Sequence, residues 1–156
     1  KGFESAMTTG VLAGYPMASM KINVKDGSFH QVDSDAMSFE LCAKQGYREA
    51  GRKAKPVLLE PIMKVVVETP NEFQGAVMGL LNQRRGMIIG SQDEGVMCVI
   101  EAQVPLSEMF GYSTILRSST QGKAQFTMEF ALYRQVPASI AEKIALEVAQ
   151  NKKSAA

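Results

Sequence analysis

The sequence predicts an α+β protein whose largest part is one closed unit of strands and helices. Apolar residues make up 46% of the 156 residues, which is enough for a buried core. Several short stretches alternate apolar and polar residues, as strands do, and others repeat apolar residues at helical spacing between Pro and Gly. No apolar run approaches the roughly 20 residues that a membrane-spanning helix needs.

The first predicted elements are a short helix and a strand. Apolar residues within 3–7 have helical spacing, and Gly10 is placed to end this helix. Because no N-cap residue precedes them, the chain is expected to begin inside a helix and to be a piece of a longer protein. Alternation over residues 20–24 then predicts a half-buried strand, which a turn at Asp26-Gly27 should end.

A long helix should follow the loop after this turn. Asp33 or Ser34 can cap it, and Pro56 stops it. Its predicted inward stripe consists of Phe39, Ala43, Tyr47, Ala50 and Ala54. A short strand at 57–59 and then Pro61 mark the predicted boundary between two domains.

Residues 60–136 are predicted to form the closed unit. Its elements are expected in the order strand 62–69, helix 70–85, strands 87–89 and 96–104, helix 105–121 and strand 124–133. This β-α-β-β-α-β order is that of the ferredoxin-like fold, in which two helices cover one face of a four-stranded sheet. A C-terminal helix over 137–150 should follow, and the tail 151–156 is expected to fray.

Local signals within this unit make further predictions. The segment Thr69-Pro70-Asn71-Glu72 has the form of a capping box, and Gly75 and Gly79 indicate close packing of the helix that follows. Gly86 should end that helix and Gly122 should end the next one. The last strand is expected to turn four apolar side chains inward: Phe126, Met128, Phe130 and Leu132.

The sequence contains no pattern that predicts catalysis or a cofactor. The nucleotide-binding patterns G-x-x-x-x-G-K-[ST] and G-x-G-x-x-G are both absent. A single His argues against a His-based metal site, and Cys42 and Cys98 lie far apart within apolar patterns, as reduced core residues of a cytoplasmic protein do. Net charge is only +1, so any contact with RNA must come from local patches.

Three local patches contain groups that can hold RNA, and each has an ordinary alternative. Lys44, Arg48 and Arg52 recur every four residues, which suits phosphate contacts but is more often a solvated helix face. His30, in a polar loop, can stack on a base or simply face solvent. Residues 116–123 group two cations with hydroxyls and an amide, which hold RNA backbones, but they also suit an ordinary helix C-terminus.

Longer motifs give the chain a specific resemblance. They are 26–34 (DGSFHQVDS), 56–65 (PVLLEPIMKV), 83–86 (QRRG), 104–113 (VPLSEMFGYS), 116–118 (LRS), 120–122 (TQG) and 127–130 (TMEF). In this order they resemble bacterial elongation factor G, a family of translational GTPases, over essentially the whole chain. The succession of PLSEMFGY, LRS and TQG is not a generic pattern.

The resemblance implies how the chain divides and what it does. Residues 1–59, with a tip loop at 26–34, would be the later part of the family's domain IV, an α+β fold like domain 2 of ribosomal protein S5, completed by the C-terminal helix 137–150. Residues 60–136 would be domain V. GTP and magnesium bind an N-terminal domain that this chain lacks. The full-length factor is therefore expected to be a GTPase that translocates tRNA and mRNA, while this chain contacts ribosomal RNA and tRNA without catalysis, cofactor or metal.

The resemblance also implies two contact surfaces. The positions that match the loop entering the small-subunit decoding site are Ser28, Phe29, His30, Gln31 and Asp33. Close relatives often have Asp at the position of Gln31, and the amide present here repels phosphate less than that carboxylate would. Arg117, Ser118 and Gln121 match contact positions near the sarcin–ricin loop of the large subunit. The expected partners are therefore the ribosome, tRNA and mRNA, with no membrane, for a cytoplasmic monomer.

The tip loop is expected to be a short, fairly rigid finger. The turn at Asp26-Gly27 and the helix cap at Asp33 or Ser34 would fix its two ends. Phe29 should pack down at the base, because a large apolar side chain gains by leaving water, and this leaves His30 pointing outward.

Two other classes of function stay open on the sequence alone. A paralogous translational GTPase of the ribosome-protection or recycling type would share domain V but differ at 26–34, where this sequence favours the translocase. A stand-alone ferredoxin-like domain that binds a small molecule would need a pocket motif, which is absent. The RNA-recognition motif is excluded, because residues 96–100 are aliphatic and offer no aromatic ring for base stacking. The reading frame before Lys1 would discriminate, since a GTP-binding domain there supports the factor.

Overall fold

The computed structural model describes residues 1–154, with side chains described through Asn151. The chain divides into two compact units: Leu59–Gln135 is one, and Lys1–Leu58 together with the residues from Val136 onward is the other. The strands are β1 (Leu59–Pro70), β2 (Met87–Glu94), β3 (Met97–Pro105) and β4 (Gln125–Gln135). The helices are α1 (Gly2–Met7), α2 (Ala36–Lys53), α3 (Gln74–Gln83), α4 (Tyr112–Ser119) and α5 (Ala138–Ser154).

The unit Leu59–Gln135 contains one antiparallel sheet of four strands in the order β2-β3-β1-β4. The central strands β1 and β3 pair with each other, while β2 and β4 form the edges. With α3 after β1 and α4 after β3, this is the ferredoxin-like topology. The predicted α+β class and the β-α-β-β-α-β order are therefore confirmed.

The core of this unit lies between one face of the sheet and the helices α3 and α4. Alternate residues of the two central strands point into it, as the predicted period requires. The fully buried strand residues of this core cluster are Val65, Val67, Cys98, Ile100, Ala102 and Val104. Val77 and Leu81 of α3 and Tyr112 and Leu116 of α4 cover them. Cys98 is thus a free core cysteine, whereas Cys42, also predicted to be buried, is exposed.

The edge strands are less buried than predicted. Phe126 reaches the core and meets the ring of Tyr112 edge-on, with 5.0 Å between ring centroids. Further along β4, Met128 and Phe130 are 41% and 53% exposed, and Leu132 is exposed too, so the prediction that they point inward into the core is wrong. The two-residue alternation along β4 identifies which side chains share a face of the sheet. It does not show whether that face is covered, and α3 and α4 do not cover the whole of the edge strand.

The hairpin between β2 and β3 is tighter than predicted. The sequence predicted that the first of these strands ends at residue 89 and the second begins at 96, but β2 continues through Glu94 and pairs with β3 as far as Met97. Gly95, at φ 70, and Val96 make the turn, which leaves Val96 exposed and outside the strand.

Both helices of this unit begin after a 3₁₀ turn. Thr69 is still paired within β1 and is fully buried, so it cannot cap α3, and the predicted capping box is wrong. Instead, residues Asn71–Phe73 form a 3₁₀ turn ahead of α3, and Leu106–Glu108 form another ahead of α4. Around Gly75 and Gly79 there is open space, so these glycines do not mark close packing.

The two helices end in the same motif. Arg85 (φ 58) and Gln121 (φ 53) take the left-handed conformation that glycine usually supplies. The next residues, Gly86 and Gly122, each donate an amide hydrogen bond of 2.8 Å to the carbonyl five residues earlier. A side chain on Gly86 would place its Cβ 2.5 Å from the Leu81 carbonyl oxygen. The predicted stops are therefore real. Gly86 follows the left-handed residue of its helix end, whereas Gly122 (φ 75) is itself left-handed, like Gln121 before it.

The other unit contains α1, α2 and α5 and no strand among its described residues. Residues 20–24, predicted to be a strand, pair with nothing in the described chain, and Val24 is 72% exposed. The alternating pattern alone does not make a strand, because the backbone needs a neighbour to pair with. The tail beyond residue 150 was expected to fray, but α5 extends through Ser154, and Ala155 and Ala156 lie outside the described residues.

The caps of α1 and α2 differ from the predicted ones. Asp35, and neither Asp33 nor Ser34, caps α2, because its carboxylate accepts a hydrogen bond of 2.6 Å from the Ser38 amide. Hydrogen bonding to the Ser38 side chain, and then to the Ser38 amide, lowers the pKa of Asp35. α1 already ends at Met7. Gly10 is needed for a different reason, since a Cβ there would lie 2.3 Å from the Tyr15 carbonyl oxygen.

The helices α1 and α2 pack closely on each other. A Cβ on Gly2 would lie 2.9 Å from the Ala43 side chain, so the two helices approach where no side chain intervenes. Tyr47, from the predicted inward stripe, is buried, whereas Phe39 from the same stripe is half exposed.

The chain enters and leaves the sheet at one point. Leu59, at the start of β1, is the register partner of Gln135, at the end of β4. Just outside the sheet, the Val136 amide donates a hydrogen bond of 2.9 Å to the Leu58 carbonyl. Residues 58 and 136 are therefore held side by side.

Amide hydrogen exchange should be slowest within the sheet. We expect stronger protection at Val65, Ile100 and Phe130, whose strands are paired, than at Ile22 and Val24, which have no strand partner in the described chain. The measurement is native-state exchange followed by NMR on the uniformly labelled chain. Protection at Ile22 equal to that at Val65 would contradict this expectation.

Candidate nucleic-acid interface

The residues predicted to contact RNA lie on three surfaces. The tip loop (residues 26–34) and the basic groove, whose cationic wall is Lys44, Arg48 and Arg52, both belong to the unit that contains α1 and α2. The α4 end, formed by Arg117, Ser118 and Gln121, belongs to the sheet-containing unit.

The tip loop ends in a turn that holds the residues before α2. The His30 carbonyl accepts hydrogen bonds from the amides of Asp33 (3.3 Å) and Ser34 (3.1 Å). The Ser34 hydroxyl in turn accepts one from the His30 amide at 2.7 Å. The turn therefore lies at residues 30–34 and not at Asp26-Gly27, where the Asp26 carboxylate bonds only the adjacent amide.

His30 presents an accessible ring on this turn. Its side chain is 73% exposed, and its Nδ1 accepts a long hydrogen bond of 3.4 Å from the Val32 amide. An accepting Nδ1 means that the neutral ring carries its proton on Nε2, which is then a free donor. The same Nδ1 lies 3.8 Å from an Asp33 carboxylate oxygen. The ring can therefore both donate a hydrogen bond and stack on a base.

The other tip residues are exposed as well. Phe29, predicted to pack at the base of the loop, is instead 70% exposed, and Ser28, Gln31 and Asp33 are also accessible. The base of the loop offers no apolar surface that buries the ring within the described chain. The five predicted residues are therefore all exposed in the tip loop.

The α4 end gathers its three predicted residues around the helix terminus. Arg117 and Ser118 lie in the last turn of α4, and Gln121 is the left-handed residue that follows. The Ser118 hydroxyl donates to the Ile115 carbonyl at 3.0 Å, so its oxygen remains available as an acceptor. Lys123 is engaged, because its Nζ lies 2.9 Å from a Glu72 carboxylate oxygen.

The basic groove lies between α1 and α2. It has a volume of about 430 Å³, and Lys44, Arg48 and Arg52 line one wall. The other wall consists of Ser5, Ala6, Thr9, Gly10 and Val11. Lys44 is partly neutralised, because its Nζ lies 2.7 Å from a Glu40 carboxylate oxygen.

The arginines divide into two sets by whether the chain itself holds them. Those with hydrogen bonds or ion pairs are Arg84, Arg85 and Arg134. Those with neither, among all described residues, are Arg48, Arg52 and Arg117. A guanidinium has several fixed N–H donors, so a free one is a ready partner for phosphate. The free arginines all lie at predicted RNA-contact positions.

The arginines of the QRRG motif have a structural task that the sequence did not reveal. Arg84 donates to the carbonyls of Glu108 and Phe110, the latter at 3.3 Å. Arg85 forms a two-bonded pair with the Glu60 carboxylate, at 3.1 and 2.5 Å. Arg84 thus holds the segment between β3 and α4 against the end of α3, and Arg85 holds the start of β1 against the same end.

Sequence reasoning also missed Ser5 and Thr9 on the second wall of the groove. Their spacing of four residues was the only available signal, and it is a weak one. Among the described residues, no cluster of three or more His, Cys, Asp or Glu side chains could hold a metal ion. None of the described helices is long and apolar enough to cross a membrane.

Comparison with known proteins gives matches over the whole chain. The family model "Elongation factor G, domain IV" matches residues 1–55, and "Elongation factor G C-terminus" matches residues 57–144. Elongation factor G 1 of Syntrophus aciditrophicus (strain SB) is 68% identical over 156 residues, which is 100% of this chain and 22% of that protein. Elongation factor G 1 of Treponema pallidum (strain Nichols) is 49% identical over 154 residues, or 99% of this chain and 22% of that protein.

A solved structure has the same fold. A crystal structure of a protein from Thermus thermophilus superposes with a TM-score of 0.85 at 40% sequence identity, covering 96% of this chain and 23% of that one. The chain therefore spans about a fifth of the length of the proteins it matches.

Proposed function

Because the chain belongs to the elongation factor G family, we propose that it is the ribosome-contacting part of a factor that translocates tRNA and mRNA. The observation that carries this proposal is the match to elongation factor G along the whole chain, at 68% identity to the Syntrophus relative. The part of those relatives outside this chain would bind GTP and magnesium and hydrolyse the nucleotide. This chain would then contribute contacts and positioning but no catalysis, within a monomeric cytoplasmic factor.

The two units correspond, in this proposal, to two domains of the factor. Residues 1–59 and the helix at 137–150 would form part of domain IV, and residues 60–136 would form domain V. The division into compact units at Leu58 and Val136 supports this assignment. Residues 20–24 have no strand partner among the described residues, and strands outside this chain would supply the missing neighbour.

The tip loop would hold the tRNA–mRNA pair in the small-subunit decoding site. The free Nε2 donor and accessible ring of His30 suit a contact with RNA, which offers both acceptors and stacking faces. Ser28, Phe29, Gln31 and Asp33 would surround this contact, and they are accessible in the same loop. The turn at 30–34 keeps the His30 backbone fixed. The contact with RNA would therefore move together with the domain, and the loop would not bend away from the RNA.

The α4 end would rest near the sarcin–ricin loop of the large subunit. Arg117 has no partner among the described residues, so it can give a bidentate contact to a phosphate without breaking a bond within the chain. Ser118 can accept and Gln121 can both donate and accept at the same helix end. The left-handed backbone at Gln121 is an uncommon conformation for a non-glycine residue, as often found at functional positions.

Arg117→Ala in the full-length factor should weaken ribosome binding and lower its salt dependence. Loss of one phosphate contact reduces the slope of log affinity against log salt by about 1. The slope is obtained from equilibrium binding to ribosomes at a series of salt concentrations. Arg134→Ala is the matched control, because Arg134 is held by the Gln103 side chain at 2.7 Å and should leave the slope unchanged. An unchanged slope for Arg117→Ala would mean that Arg117 is only a helix-end residue.

A further inference from the structure

We propose that the basic groove between α1 and α2 is a further RNA site, which binds the phosphates of one backbone segment. It goes beyond the tip loop and the α4 end, because its residues belong to neither. Two arginines without a partner, a concave shape and a wall of hydroxyl groups carry the proposal.

The cationic wall has two free charges on backbone positions that lie one helical turn apart. Arg48 and Arg52 lie one turn apart on α2, so their backbones are about 6 Å apart along the helix axis. This is close to the separation of neighbouring phosphates on one nucleic-acid strand. Neither guanidinium forms a hydrogen bond or an ion pair with a described residue, so both forks can bind without breaking a contact.

The acidic residues nearby do not cancel these charges. On α2, Glu40 is paired with Lys44 and Glu49 with Lys53, each at 2.7 Å. Each pair is neutral as a whole and each is formed within one helix turn. The uncompensated charge of the groove therefore belongs to Arg48 and Arg52.

The opposite wall supplies hydrogen-bond donors where the arginines supply charge. Ser5 and Thr9, which both carry hydroxyl groups, line it four residues apart, and Ala6 and Gly10 line it as small residues. Arginines and hydroxyls together are the usual partners of a nucleic-acid backbone. An acidic protein would gain less, because the groove has few apolar side chains to anchor it and Val11 is the largest.

The experiment compares two double variants of the 156-residue chain that lose the same charge. Arg48→Gln/Arg52→Gln removes both free guanidiniums. Lys21→Gln/Lys55→Gln removes two exposed cations of the same unit that neither line the groove nor form an ion pair with a described residue. The probe is a fluorescent RNA duplex of about 12 base pairs, close to one helical turn, titrated at several salt concentrations. Circular dichroism checks that both variants keep their helices, as expected because Gln is a good helix former.

We expect the arginine variant to bind this duplex about tenfold more weakly, with a salt slope lower by roughly 1 to 2. The lysine variant should change the affinity less than about twofold. Side-chain Nε–H NMR signals of Arg48 and Arg52, but not of the held Arg134, should shift when the duplex is added. Equal losses in both variants, no loss in either, or a polyglutamate peptide that binds more tightly than the duplex would each overturn the proposal. Because no ribosome is present, a negative result leaves the proposed role in translocation standing.

Discussion

Replacing His30 by Ala in the full-length factor should slow translocation by about tenfold or more and leave GTP hydrolysis nearly unchanged. A hydrogen bond to a charged RNA group contributes roughly 1.5–3 kcal/mol, and about 1.4 kcal/mol corresponds to a tenfold change in rate. Stability should hardly change, because the side chain is 73% exposed and buries little. Hydrolysis should continue because the GTP site would lie outside this chain.

The decisive measurement is single-turnover translocation beside single-turnover GTP hydrolysis on the same ribosomes. Val32→Ala is the matched control, because Val32 is an exposed residue of the same turn with no polar side-chain atom, and its replacement should leave both rates unchanged. His30→Gln keeps a donor and an acceptor and should recover part of the lost rate. If GTP hydrolysis and translocation slow equally, the loop contributes to ribosome binding or to GTPase activation. The assignment of His30 to the translocation step would then be wrong.

Tyr112→Ala should destabilise the sheet-containing unit by about 3–5 kcal/mol, the usual cost of removing a buried aromatic ring. Tyr112 is fully buried, meets Phe126 edge-on, and lies 5.4 Å from the Arg84 guanidinium. Its loss would therefore leave a cavity between α4 and the sheet. Urea unfolding, followed by circular dichroism, measures the change in the free energy of unfolding.

Tyr112→Phe is the informative control, since it removes only the hydroxyl. That hydroxyl is buried without a hydrogen-bond partner in the described chain, so its removal should be neutral or stabilising. Burial raises the pKa of Tyr112 to about 12 from an ordinary value of 10.0, although the nearby Arg84 opposes the shift. At a pH between these two pKa values, the Tyr112 hydroxyl keeps its proton in the folded chain and loses it in the unfolded chain. Stability therefore falls as the pH rises through this window, and this part of the fall should vanish in Tyr112→Phe. A Phe variant as unstable as the Ala variant would mean that the hydroxyl has a partner.

The sheet-containing unit was predictable because its own residues close its core. Cys98, Ile100 and Val104 alternate along one stretch, and all of them are buried against α3 and α4. Local alternation therefore identifies the inward face when the partner strands and covering helices lie in the same segment. The family resemblance added no element that this pattern had not already indicated.

Elements that depend on distant or absent partners were not predictable. Residues 20–24 have the pattern of a strand, but no described strand pairs with them. Met128 and Phe130 alternate with polar residues as inward-facing side chains do, yet both are exposed. They lie on an edge strand, and the order of strands in a sheet cannot be predicted from the alternation of residues along one strand. Thr69 looked like a cap because the sequence does not show that β1 continues to Pro70.

The candidate surfaces follow the same rule. The α4 end could be found from sequence, because Arg117, Ser118 and Gln121 are neighbours on one helix terminus. Only one wall of the basic groove could be predicted from the sequence. The spacing of Arg48 and Arg52 indicated that wall, but the facing wall comes from a distant part of the chain.

The side-by-side arrangement of Leu58 and Val136 has a thermodynamic consequence for the rest of the chain. Once residues 59–135 are folded, the two flanking segments leave the sheet as neighbours and no longer as the ends of a long flexible loop. The sheet thus acts on them as a covalent crosslink would. Any association between residues 1–58 and the C-terminal helix is therefore spared the cost in loop-closure entropy, which is about 4 kcal/mol for a segment of this length.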